Sequence, residues 1–403
     1  MKNRIKSEAK LLWSTQAQSQ NNKRDLSLDI ARGIAIILVV IGHSTYIPPT
    51  INIGISTFHL PAFFVISGWL MFQKQEYTLP LKKIVTSKVR SIFIPYIWFS
   101  LFTLLVDLLQ VLRGKFTLDL LIGHTIQTTI LEGYSVMWFL PVLFFAELVV
   151  LLLLKAAHRI TKGKSIGSVL LYPLLMICVL IAYFGYLAHA EHISFLGYPS
   201  YADYAVSFVN LDWKNFTLQN FLLREFRVFV KILIAAFFII TGYLAGSFIK
   251  NKVSNTVNTL SSMKIRPAEL VTGIFLLSIN IIAAFHIQIM DLNFLNLPSV
   301  WIYLFLGTTG SLGLLLICRN LPNITLLTYF GQNSLIIMCT HLSGYVLYLG
   351  QLSGIYLALF LPGNDMFVII VSSIVLTMLY EIPFIMIIRI FFPFVLGKKI
   401  RIK

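Results

Sequence analysis

Apolar runs of about 20 residues recur along the chain, separated by short polar stretches rich in lysine and arginine. Each run is continuous rather than alternating with period two. About 20 apolar residues rising ~1.5 Å each cross a ~30 Å hydrocarbon core as a helix. The pattern therefore predicts helices, not the strands of a barrel. Ten spans are expected, at 28–47, 51–72, 91–112, 136–154, 167–187, 228–249, 268–289, 300–317, 325–349 and 366–391. Segment 113–135 is only moderately apolar and reads as a connecting or re-entrant stretch. Segment 188–227 is the longest polar connection. Its aromatic residues, Phe195, Tyr198, Tyr201, Tyr204, Phe208, Trp213 and Phe216, suit an interfacial belt or a sugar-binding surface. The expected fold class is all-α: a polytopic transmembrane helix bundle of about ten spans.

Composition agrees. Of 403 residues, 57% are hydrophobic and only 12% charged. A soluble chain carries about 25% charged residues, so a soluble enzyme, a disordered chain and a secreted disulfide scaffold are excluded. The net charge is +16, which on a soluble chain would suggest nucleic acid. Here the basic residues collect in alternate connections: the arm from Lys2 to Arg24, segments 73–90, 155–166 and 250–267, Arg319, and the tail. The intervening connections hold only Arg113, Lys115, Lys214, Arg224 and Arg227. By the positive-inside rule both termini are cytoplasmic, and no nucleic-acid partner is implied. The expected divisions are a basic arm at 1–27, a membrane domain at 28–391 and a basic tail at 392–403. Cys178, Cys318 and Cys339 read as small core hydrophobes. His189, Glu191 and His192 form an incomplete ligand set, so no metal is expected.

Ionisable residues inside spans cost roughly 2.5–3.5 kcal/mol each and point to function. The first span holds Asp29, Arg32 and His43. Arg32 and His43 are eleven residues apart, about 20° past three full turns, so they share a helix face at ~16 Å separation. Arg32 lies near one boundary, with Asp29 in reach as a partner. His43 lies in the opposite half. His59 of the second span is expected at the depth of His43, and Ser67 and Gly68 at that of Arg32. Two readings stand for each: Arg32 as a boundary anchor or a ligand group, Ser67-Gly68 as close packing or as site residues. The stretch Lys82, Lys83, Lys88 and Arg90 suits lipid head groups or the phosphates of a cytoplasmic ligand. Asp107, Glu147, Lys231, Glu381 and Arg389 read as structural ion pairs, and His341 lies at a depth near that of His59.

These residues resemble a known family. RDLSLDIARGIAIILVVIGHS is similar to the opening helix of the acyltransferase-3 family of membrane acyltransferases, whose signature of Arg, ten residues, then His is matched by Arg32 and His43. FHLPAFFVISGWL resembles its second-helix pattern through Phe63, Phe64, Ser67 and Gly68. KVRSIFIPY resembles its basic stretch and places Arg90 on a family position. MWFLPVLF (137–144) and GQNSLIIMCTH (331–341) resemble two later segments, the latter with Met338 and Cys339 where a Tyr is common. The FHLP and WFLP forms look most like the branch related to fucose 4-O-acetylases.

The resemblance implies transfer of an acyl group, commonly acetyl, from cytoplasmic acyl-coenzyme A to a hydroxyl of a cell-envelope glycan or lipid-linked sugar. The setting it implies is a bacterial cytoplasmic (inner) membrane, with acyl-CoA as a co-substrate and no permanently bound cofactor. Under it, His43 and His59 are the expected catalytic residues, Arg32, Ser67 and Arg90 bind the donor, and Asp29 and His341 support them. The rival expectation is a proton-coupled permease or glycan flippase using His43, Arg32 and Glu381 as a relay. The oligomeric state is left open.

Overall fold

The structure is a computed structural model describing residues 25–162, 165–193, 211, 213–254, 266–359 and 366–398. Asp25 caps α1 (Leu26–Gly42), its carboxylate accepting from the Ser27 N–H. Then come α2 (Pro49–Ser56) and α3 (His59–Gln73). α4 (Leu81–Lys88) runs through a π-helical turn (Val89–Phe93) into α5 (Ile94–Leu112). A short α6 (Leu118–Thr129) precedes α7 (Phe139–Ile160), α8 (Ile166–Ile193) and α9 (Leu218–Ser254). The rest are α10 (Pro267–Ala283), α11 (Val300–Cys318), α12 (Thr325–Gln332), α13 (Ser334–Thr340), α14 (Val346–Leu359) and α15 (Met366–Phe391). Among the described residues no strand forms, and seven helical stretches are long and apolar enough to cross a membrane. The protein is an integral membrane helix bundle.

α3 and α9 form its centre. Their spanning stretches are each 78% buried, against 28% for α15, whose outer face is left to lipid. Two backbone-to-backbone crossings fix the geometry. A Cβ on Gly68 of α3 would strike the Ile239 carbonyl of α9, and one on Gly242 would strike Val65. Gly33 of α1 and Gly331 of α12 meet in the same way, against Leu327 and Asp29. Between apolar helices in lipid, such close approach supplies the dispersion contacts that burial from water supplies elsewhere.

Hydropathy located the helices but hid their breaks. The second span is α2 and α3, interrupted at Thr57 and Phe58, where Thr57 Oγ1 donates to Asn280 Oδ1 (2.8 Å) of α10. The expected span 325–349 is three pieces, α12, α13 and the start of α14. Asn333 separates the first two. Its Nδ2 donates to the Tyr329 carbonyl (2.8 Å) and its Oδ1 accepts from Arg389 (3.2 Å). Tyr345, at φ 56°, ends the second break. All of these residues sit within apolar sequence, so periodicity carries no trace of them. α9 begins at Leu218, not 228: Arg224 and Arg227 both pair with Glu132, and the helix continues through them.

Residues 393–398 of the basic tail fold back, with Gly397 lying against the backbone of Arg90. The arm up to residue 24, most of the aromatic connection (194–210 and 212, with Phe195, Tyr198, Tyr201, Tyr204 and Phe208) and residues 399–403 lie outside the described residues, as do the side chains of Glu191 and His192.

Candidate functional site

Two cavities enter the bundle from opposite ends. One, of about 390 Å³, surrounds the carboxy-terminal end of α1 and the start of α3, and is lined by His43, His59, Trp138, Arg227 and Asp291. The other, of about 380 Å³, surrounds Arg32 and the far end of α3, with Ser67, Lys74, Lys88 and Glu147 in its wall. They share two lining residues, Phe139 and Met338. Phe139 is clamped by the Phe-Phe pair of the second span: Phe64 stacks on it at 5.0 Å and Phe63 meets it edge-on at 5.8 Å.

In the first cavity, His43 caps α1 with its side chain exposed to the opening. Its ring lies 5.3 Å from that of His341, and it is within electrostatic range of both His341 and His59. His59 Nδ1 sits 2.7 Å from the Ile55 carbonyl, and His341 Nδ1 2.8 Å from the Ile337 carbonyl. A carbonyl can only accept, so each Nδ1 carries the proton and each Nε2 keeps a lone pair. His341 Nε2 is buried without a hydrogen-bond partner. The expected pairing of His43 with His59 is thus a trio with His43 in the middle. Asp291 closes the far wall. Burial pushes its carboxyl above the ordinary range, against hydrogen bonds from the Phe294 and Asn293 N–H groups.

The second cavity is lined by three cations, Arg32, Lys74 and Lys88, and two carboxylates, Glu76 and Glu147. Lys88 bridges both acids at 2.9 Å each, and with Arg32 and Lys74 in the same wall the cations outnumber the carboxylates. Ser67 donates to Glu147, which makes it a support for that carboxylate, while Gly68 serves the α3–α9 crossing. Asp29 is buried where α1 meets α12 and accepts from Gln332 (3.3 Å). Arg90 is not in this cavity. It lines an adjoining surface groove with Lys82, Lys83 and Lys398, and Ser91 belongs to both walls.

The sequence of a family described as an acyltransferase domain matches residues 25–395, nearly the whole chain. The chain belongs to the acyltransferase-3 family. No curated protein and no solved structure matches it. In this acyltransferase the matching segments, distant in sequence, converge on the two cavities and the wall between them. Of the remaining intramembrane charges, Glu147 pairs with Lys88 and Asp107 with His124 (2.9 Å), as expected of structural pairs. Glu381 instead accepts from Thr340 (2.7 Å), and the Lys231 ammonium lies 4.8 Å over the Trp138 ring, beside Asn293. Sequence reasoning missed Glu132, Tyr134 and Asp291, which come from connections with no hydropathy signature. Among the described residues no group of three or more metal-ligating side chains occurs.

Proposed function

We propose that this membrane acyltransferase moves an acyl group, acetyl in the simplest case, from cytoplasmic acyl-coenzyme A to a hydroxyl of a cell-envelope glycan. One observation carries the reading: two cavities back to back across Phe139 and Met338, with Arg32 in one and His43 in the other. Coenzyme A has a phosphorylated end and a long thin arm, and the groove of Lys82, Lys83, Arg90 and Lys398 suits the phosphates. The arm then passes Ser91 and Arg32 toward the shared wall. On the other side the acceptor hydroxyl meets His43. The imidazole takes the hydroxyl proton, the oxygen attacks the thioester carbonyl carbon, and the carbon–sulfur bond breaks. The departing thiolate takes the proton back from His43.

The direct test supplies labelled acetyl-CoA to one face of sealed membrane vesicles. Label should appear in envelope glycan only when the donor is on the cytoplasmic face, and not in vesicles lacking the protein. Label accumulating in free acetate alone would sink the proposal.

Orientation is tested separately. Reporter fusions at Lys164 and Lys403 should read as cytoplasmic and one at Asp212 as external. An internal Asp212 would reverse the donor and acceptor ends.

Arg32→Lys keeps the charge but loses the guanidinium fork. It should weaken coenzyme A binding to the purified protein by about 1.5–3 kcal/mol. An unchanged affinity would leave Arg32 as a boundary anchor.

A further inference from the structure

We propose that Tyr134 is the stacking platform for the pyranose ring of the acceptor, held from behind by a buried His124–Asp107 pair; this rests on the transferase reading above. The Tyr134 ring lies on the His124 imidazole with centroids 3.5 Å apart and planes 17° from parallel. His124 Nδ1 donates to Asp107 Oδ2 at 2.9 Å, and the two side chains are only 1% and 6% exposed. His124 Nε2 is buried with no hydrogen-bond partner. As a packing element between α5 and α6 this pair is a poor choice, because an unmade buried hydrogen bond costs stability that an apolar pair would keep. What it supplies is a flat, fixed plate behind one face of the tyrosine.

The backbone serves the same end. Leu131 (φ 61°) and Ser135 (φ 54°) both occupy the left-handed region that side chains avoid, with Gly133 (φ 75°) between them. A Cβ at Gly133 would strike the backbone of Trp138. Glu132 ties the segment down through Arg224 (2.6 Å) and Arg227. Strain of this kind persists only where the surroundings enforce it, and it gathers at ligand sites.

Tyr134 is half-buried and lines the cavity that holds His43, whose wall also carries Asn52, Gln127, Asp291 and Asn293. A pyranose shows polarised C–H bonds on its faces and hydroxyls around its rim. The electron-rich face of an aromatic ring suits the former. Amides and a carboxylate, as donors and acceptors, suit the latter. A lipid chain would have no use for that polar rim.

The test is saturation-transfer NMR on the full chain in nanodiscs, saturating aromatic protons and offering the methyl pyranosides of glucose, galactose, fucose and rhamnose. Saturation should reach the C–H protons of one face of at least one sugar. Tyr134→Leu should weaken that binding about tenfold, and Tyr134→Phe, which keeps the ring, should restore it. Coenzyme A binding, assigned to the other cavity and its groove, should stay unchanged in both variants. His124→Asn should raise the acceptor KM with kcat little altered, whereas a merely structural role would lower the yield of folded enzyme at constant KM. Wild-type protein that binds coenzyme A but transfers saturation to none of the sugars overturns the proposal, as does Tyr134→Leu binding like wild type. Failure of the transferase reading looks different, because wild-type protein would then neither bind coenzyme A nor consume acyl-CoA.

Discussion

His43→Ala should lower the rate of acyl transfer by ~10²–10⁴-fold, the usual share of a positioned general base. Coenzyme A binding should be nearly unchanged, because the Arg32 cavity and its cationic groove are formed by other residues. A sugar hydroxyl is a weak nucleophile at neutral pH, and imidazole is the side chain whose basicity suits removing its proton there. His43 is also the member of the histidine trio most open to the cavity, while His59 and His341 each spend Nδ1 on a carbonyl. His43→Gln should be about as inactive as His43→Ala, since an amide can hydrogen-bond but cannot take the proton. The decisive measurement is single-turnover transfer with both variants. If Gln restores most of the rate, His43 only orients, and the base is one of its two neighbours. If both variants acylate glycan like wild type, the permease reading gains.

Gly68→Ala should cost the fold, by about 3 kcal/mol or more, because overpacking a helix crossing forces the backbones apart. The new methyl would meet the carbonyl of Ile239, which cannot move without dragging α9, one of the two central helices. Gly114→Ala is the control. Gly114 has φ +70° and nothing within 4 Å of a built Cβ, so only the backbone cost of about 1–2 kcal/mol applies. Thermal unfolding of the two variants in one detergent should rank them in that order. Equal midpoints would mean that α3 and α9 are not locked at this crossing.

What the sequence disclosed follows from what a membrane demands of it. Span-length apolar runs announced the helices, because a spanning helix must satisfy its backbone internally and clothe itself in hydrocarbon. Arg32 and His43 stood out because charge is expensive there. The arrangement of Ser67 and Gly68 did not. Either role fits the dipeptide, and only the positions of Glu147 and Ile239, distant in sequence, divide the labour between them. The breaks at Thr57 and Asn333 were invisible because the partners of these side chains on other helices, Asn280 and Arg389, are distant in sequence. Tyr134 escaped notice because its plate, His124, and the anchor of its segment, Arg227, come from separate elements. Met338 stood out only as a departure from the family pattern, and lies in the wall between the cavities.

That wall has an electrical meaning. Any continuous water path through a bilayer would short-circuit the voltage across it, and moving one charge against 100 mV takes ~2.3 kcal/mol. With water admitted from both ends, most of that voltage falls over the layer of Phe139 and Met338. On the proposed chemistry each turnover sends an acyl group one way and returns a proton the other. In formal charge an acylium and a proton are equal, and each compartment ends with the charge it began with. The cycle is electroneutral, so the membrane voltage neither drives nor opposes it.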